Sequence, residues 1–236
     1  MAPAEAPGDG IRTPRIVAVD REAPDPAIVA EAAEVLRAGA LVAFPTDTLY
    51  ALAADPFRPG ALERVFAAKG RDAAKVVSLL LADAAMAPPL IAALLSAART
   101  LIDRFWPGPL TIVLPASAGM PPALVPPGGG IGLRVPRDIL ARSILRTFGG
   151  PLVGTSANRA GGPEPRDAGD VLSQVGSHLA LLLDGGRTPA GIPSTVVDCT
   201  VRPPRLLRAG ALPPEAIREV LPELSGRRSA RRSRKS

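Results

Sequence analysis

The 236-residue chain holds one cysteine and one histidine. Cys199 alone excludes an intramolecular disulfide and any metal site built from several cysteines, and points to a reducing compartment. No run of ~18 apolar residues occurs, so no transmembrane helix is expected. The first ten residues, "MAPAEAPGDG", lack the basic start and apolar run of a secretory signal and read as a flexible lead-in. Aromatic residues make up only 3% of the chain. Neither a metal-ligand cluster of recognisable spacing nor a GxxxxGK[ST] phosphate loop is present. "PPGGGIG" (126–132) is rich in glycine but has no Lys-Ser/Thr and no helix start after it, so it reads as a mobile loop. The lone His178 sits at an element boundary and reads as a surface or capping residue. Cys199, within an apolar strand, reads as a small buried hydrophobe.

The net charge of +6 belongs to one short segment. Residues 227–236, "RRSARRSRKS", hold six cations and no acid, which leaves the rest of the chain formally neutral. Such a run repels itself and buries nothing, so it predicts a disordered, solvated tail with weak anion contacts. A role in holding RNA is the other reading.

Helix signals are explicit. Asp25-Pro26 before "AIVAEAAEVLRAG" is an N-cap with proline at the first helical position, and Gly39 is the stop. Further helices are expected over 59–70, 89–104, 138–150, 166–176 and 213–221. Strands are expected over 40–44, 75–83, 109–116, 131–136, 151–156, 179–186, 194–200 and 204–210, with 119–130 as loop. Strict strand–helix alternation fails after residue 109. The prediction is an α/β fold, a single domain with a twisted mixed β-sheet and flanking helices rather than a doubly wound Rossmann sheet. Its expected limits are 25–222, between a flexible lead-in at 1–24 and a basic tail at 223–236.

Short polar groups gather at the ends of apolar strands: "PTDT" (45–48), "GTSAN" (154–158), "PSTVVD" (193–198) and "RLLRAG" (205–210). Strand ends and their loops are where α/β sheets bind ligands, and hydroxyls with an amide suit a small polar molecule. Lys69, Arg71, Lys75, Arg134 and Arg208 add cations on apolar segments, as a polyphosphate would need. Arg134 stands between Leu133 and Val135, so strand alternation turns it to the opposite face.

In order and register, "GALVAFPTDTLYAL", "KGR", "FWPGPLTIVL", "IGLRVP", "VGTSANRAGG", "GIPSTVVDCT" and "RLLRAGAL" resemble the YrdC-like family of threonylcarbamoyl-AMP synthases over about residues 28–221. The resemblance implies one α/β domain with a large, positively charged concave cleft. It implies conversion of L-threonine, bicarbonate or CO2, and ATP with Mg2+ to L-threonylcarbamoyladenylate and pyrophosphate. A partner complex would then transfer the threonylcarbamoyl group to tRNA beside the anticodon, in the cytoplasm. By the same resemblance, Lys69 and Arg71 are the expected catalytic pair. Arg71, Lys75, Asn158 and Arg208 are expected on ATP, and Thr48, Arg134, Ser156 and Ser194 on threonine. No protein side chain is assigned to the metal.

This chain departs from the family pattern at several positions. Ala51 replaces the usual glycine after the tyrosine, which would alter the loop if that position needs a positive φ. Asp72 replaces a proline, Leu80 a common histidine, and Arg166 a Ser or Thr. Longer relatives carry a second C-terminal domain, so the resemblance is to the single-domain form with a basic tail. A carbamoyl-adenylate enzyme of hydrogenase maturation would need further modules and cysteines. The alternative is a non-catalytic RNA-binding or ribosome-associated member of the same fold.

Overall fold

The computed structural model describes residues 13–70 and 78–226. Among these residues ten strands form one sheet: β1 (Arg15–Ala18), β2 (Val42–Phe44), β3 (Ala51–Ala54), β4 (Ser78–Leu80), β5 (Leu110–Pro115), β6 (Gly130–Arg134), β7 (Leu152–Ser156), β8 (Leu181–Asp184), β9 (Thr195–Asp198) and β10 (Arg205–Arg208). Their order is β1-β8-β2-β3-β7-β4-β6-β5-β9-β10. Parallel pairs (β1·β8, β2·β8, β4·β6, β5·β9) occur together with antiparallel ones, so the sheet is mixed, as expected.

Among the described residues six α-helices flank it: α1 (Pro26–Arg37), α2 (Ala61–Lys69), α3 (Ser96–Phe105), α4 (Ile139–Phe148), α5 (Ala168–Val175) and α6 (Pro214–Val220). The caps predicted for α1 and α4 form. Asp25 accepts from the Ala27 amide at 2.8 Å, and Asp138 from the Ala141 amide at 2.9 Å. Each satisfies a backbone donor that the first helical turn leaves open. Gly39, at φ 83°, turns the chain from α1 towards β2, a conformation that costs glycine least.

Helices α1 and α4 bury Val29, Ala32, Leu36, Leu140, Ile144 and Leu145 against one face of the sheet. The remaining helices lie on the other, where Leu79, Ile112, Leu133 and Val153 pack with Val65, Leu101 and Val171. Burying each such leucine contributes roughly 1.5–3 kcal/mol relative to exposure. Because α1 and α4 cover only the β1–β8–β2–β3–β7 end of their face, strand alternation leaves the other end open. Ser78, Gly132, Thr111, Val196 and Asp198 point into that opening.

Several expectations are corrected. Strand β1 lies inside the lead-in expected over 1–24 and pairs in parallel with β8. Strand β3, which the sequence reading missed, carries Ala51. This residue is in extended backbone, and among the described residues no non-glycine has a positive φ, so the anticipated loop distortion does not arise. The helix expected over 89–104 starts at Ser96, because Pro88–Leu90 forms a separate 3-10 turn. The expected tail start at 223 is too early: Leu224 is buried and Ser225 bridges Arg205. Arg71, Asp72, Lys75 and the cations of 227–236 lie outside the described residues.

Candidate active site

The open end of the sheet forms a cleft of about 690 Å³. Its floor is made of small residues from the central strands. Gly154 on β7 is one, and a Cβ there would collide with Leu80 of β4. Five cationic side chains (Lys69, Arg134, Arg159, Arg205 and Arg208) and two carboxylates (Glu164 and Asp198) line it among the described residues. The balance favours an anionic ligand.

Three hydrogen-bonded groups stand around this cleft. The first is built on the β2–β3 connection. Arg134, buried at the end of β6, donates from Nη1 to Thr48 Oγ1 at 2.8 Å and from Nη2 to Asp47 Oδ1 at 2.6 Å. Its Nε donates to the Gly108 carbonyl at 3.1 Å. Thr46 donates its only hydroxyl proton to the Leu49 carbonyl at 2.8 Å and accepts the Thr48 amide at 3.1 Å. The two threonine oxygens lie 3.0 Å apart. Thr48 Oγ1 therefore accepts from Arg134 and keeps its own proton for Thr46 or for an acceptor in the cleft. A guanidinium behind this hydroxyl strengthens it as a donor.

The second group closes the end of β7. Lys69, the last residue of α2, is buried and gives its ammonium to the Ser156 carbonyl at 2.6 Å and to Asn158 Oδ1 at 2.9 Å. Ser156 Oγ donates to the same Asn158 oxygen at 2.7 Å. Asn158 Nδ2 donates to the Gly162 and Pro163 carbonyls, both at 3.1 Å, which fixes which way the amide faces. The third group lies at β5, β9 and β10. Thr111 and Ser194 share a 2.8 Å hydroxyl contact. Arg208 donates from Nε to the Ser194 carbonyl at 3.0 Å and from Nη2 to Ser194 Oγ at 3.1 Å. Desolvation pushes the Arg208 pKa below its usual value, with Glu164 opposing and Arg134 adding repulsion. The residue is exposed at the cleft rim, so this desolvation comes from the protein on one side only.

The structure thus brings Thr48, Lys69, Arg134, Ser156, Asn158, Ser194 and Arg208 to one cleft. Ser156, expected with threonine, joins Lys69 and Asn158, and Ser194, likewise expected with threonine, is joined to Arg208. Thr46, Thr111 and Glu164 line the cleft and were not singled out. Thr111 carried a signal, being the polar residue in the apolar run "PLTIVLP". Leu80 takes part in the floor. Arg166 holds the loop after β8 by donating from Nε to the Gly191 carbonyl at 3.0 Å, and Gly191 N in turn donates to the Thr48 carbonyl at 3.1 Å. His178 is exposed, and burial pushes the Cys199 thiol up to about 12. Neither lines the cleft.

A mixed sheet with an uncovered, cation-lined face and hydroxyls at its strand ends is suited to a small anionic molecule. Comparison with known proteins narrows this. The Sua5/YciO/YrdC family model, described as "Telomere recombination", matches residues 34–210. The threonylcarbamoyl-AMP synthase of Pyrococcus abyssi is 38% identical over 193 residues, which is 82% of this chain and 57% of that protein. The Bacillus subtilis threonylcarbamoyl-AMP synthase is 36% identical over 194 residues, 82% of this chain and 56% of that protein. The crystal structure of P. abyssi Sua5 complexed with L-threonine superposes with a TM-score of 0.85 at 36% identity, covering 89% of this chain and 62% of the other. The chain belongs to the Sua5/YciO/YrdC family. It spans little more than half the length of these relatives.

Proposed function

We propose that this chain is an L-threonylcarbamoyladenylate synthase, forming L-threonylcarbamoyl-AMP and pyrophosphate from L-threonine, bicarbonate or CO2, and ATP. The product serves threonylcarbamoyladenosine modification of tRNA beside the anticodon, through a separate transfer complex. The observation that carries this reading is the convergence of Thr48, Arg134, Lys69, Asn158, Ser194 and Arg208 on one cation-lined cleft. The names of the relatives and the threonine bound to P. abyssi Sua5 support it.

In this reading, the Thr48 hydroxyl, backed by Arg134, receives the threonine carboxylate. The threonine amine adds to CO2, losing a proton to give a carbamate. A carbamate oxygen attacks the α-phosphorus of ATP, and the bond to the β-phosphate oxygen breaks, releasing pyrophosphate. No covalent enzyme intermediate forms, so a buried, neutral Cys199 and an exposed His178 are no obstacle. The protein's task is to hold two anions together and to offset the charge that develops. Lys69, bonded to the Ser156 carbonyl at the end of β7, is taken to serve this, together with Arg71 and Lys75, which lie outside the described residues. Among the described residues no three His, Cys, Asp or Glu side chains gather into a metal cage. A Mg2+ ion borne by phosphates needs only one or two carboxylates, and Glu164 and Asp198 face the cleft, so the donor set fits ATP-borne Mg2+. When bound, the ion supplies charge neutralisation on the polyphosphate.

The test is turnover of ATP with threonine and bicarbonate each omitted in turn. Pyrophosphate and a threonine-containing adenylate should appear only when both are present. Pyrophosphate release indifferent to threonine sinks the reading.

A further inference from the structure

The segment before α1 bonds to a loop that lines the cleft. Arg21 lies upstream of residue 34, where the family model begins to match. Its side chain reaches three separate parts of the fold. Nε and Nη2 both donate to Asp138 Oδ2, at 2.8 and 2.5 Å. Nη2 also donates to the Thr46 carbonyl at 3.0 Å, and Nη1 to the Arg187 carbonyl at 3.3 Å. The Asp138 carboxylate is 2% exposed and also caps α4, so its charge is fully committed.

A second observation concerns the backbone. Gly185, on the loop after β8, has no left-handed φ, so its turn does not call for glycine. A Cβ on it would lie 2.6 Å from Arg21 Cγ and 2.9 Å from Pro45 Cγ. The Arg21 stem therefore fills a slot between Gly185 and Pro45 that any larger residue would close. Both walls of this slot belong to loops that carry the site. Pro45 leads into Thr46–Thr48, and Gly185 into the loop whose Gly191 amide donates to the Thr48 carbonyl at 3.1 Å.

We infer that Arg21 is a positioning residue, a brace that locks the 45–50 and 185–194 loops together and so sets where Thr48 meets its ligand. This rests on the reading of Thr48 as a threonine-binding residue. Three acceptors on three elements suit a planar guanidinium with its fixed fork, which a lysine ammonium cannot reproduce. The bonds of Arg21 run to Asp138 and to the Thr46 and Arg187 carbonyls, beside Thr48, so the brace acts on the threonine half of the cleft.

The experiment compares wild type with Arg21→Ala, Arg21→Lys and Gly185→Ala, with Arg15→Ala as control. Arg15 lies in the same segment, and its side chain makes an exposed ion pair with Glu31, away from both loops. Pyrophosphate release is measured against threonine and against ATP, and amide exchange is followed in peptides covering 45–50 and 185–194. Arg21→Ala and Gly185→Ala should raise the threonine KM about tenfold, roughly 1.4 kcal/mol. The ATP KM and kcat should move less than twofold, exchange should quicken in both loops, and Arg21→Lys should fall between. If Arg21→Ala does not fold, Gly185→Ala and Arg21→Lys decide. Unchanged exchange in both loops, or equal rises in both KM values, overturns the brace. Wild-type protein without threonine-dependent pyrophosphate release sinks the catalytic reading instead, and the exchange result still decides the brace.

Discussion

Arg134 and Thr48 are joined by a 2.8 Å hydrogen bond in which the guanidinium donates to the hydroxyl oxygen, while Asp47 takes a neighbouring N–H at 2.6 Å. The cation is thereby partly neutralised from behind. Its role is to fix the direction of the Thr48 proton as well as to attract an anion. Arg134→Lys keeps the charge and loses the fork. It should raise the threonine KM about 10- to 100-fold, since a charge-assisted hydrogen bond is worth roughly 1.5–3 kcal/mol. Titrating pyrophosphate release against threonine checks this, and an unchanged KM removes Arg134 from the site.

The same pair makes a stability prediction. Arg134 is 6% exposed, so removing its charge leaves the Asp47 carboxylate only the Arg137 amide on Oδ1, and Oδ2 already has no partner among the described residues. Arg134→Met should destabilise the fold by about 3–5 kcal/mol, the usual cost of breaking a buried pair from one side. The double variant Arg134→Met with Asp47→Asn should recover part of that loss. Urea unfolding of the three proteins measures it, and simple additivity of the two changes contradicts the pairing.

Lys69 and Arg71 should act on the chemical step. Lys69→Met or Arg71→Ala should lower kcat for pyrophosphate release by about 10²–10³, the cost of one preorganised donor, ~2.7–4 kcal/mol. Threonine binding, measured by calorimetry without ATP, should change little. A wild-type rate in Arg71→Ala refutes its catalytic assignment.

What could be read from the sequence follows the range of the interactions. Asp25 and Asp138 cap their helices through backbone amides two or three residues away, so both helix starts were visible. Polar residues at the ends of apolar runs marked Thr48, Asn158 and Ser194. Strand β1 was not visible, because four residues, "RIVA", become a strand only by pairing with β8 far along the chain. Strand β3, "ALAA", has weak strand propensity and is held by β2 and β7 on either side. Arg21 belongs to no motif. Its partner Asp138 is 117 residues distant, and only the folded chain brings them together.

Cys199 gives a labelling prediction with a definite sign. Burial, with Asp198 adding repulsion, pushes its thiol up to about 12. At pH 8 the folded protein therefore holds a neutral, inaccessible thiol, whereas an unfolded one has a pKa of about 8.5 and is partly thiolate. A thiol reagent at pH 8 should react only as fast as the chain opens, and faster in urea. Turnover should be indifferent to it under native conditions. Rapid labelling of the folded protein, or loss of activity ahead of unfolding, contradicts the buried placement.

The basic tail separates the catalytic reading from the RNA-binding one. The last described residues run beside β10, where Leu206 N donates to the Ser225 carbonyl at 2.9 Å, and β10 carries Arg208 of the cleft. Six cations follow in residues 227–236. A chain ending at Gly226 should lose most of its RNA affinity at low salt. The slope of log K against log salt should fall by up to about 4, since each phosphate contact on a single strand contributes ~0.7. Pyrophosphate release by the shortened chain should match the full chain, because every described cleft residue is retained. Salt-dependent RNA affinity that survives truncation, together with absent turnover, would instead make the cleft itself the RNA-binding surface, with Arg134 and Arg208 contacting phosphates.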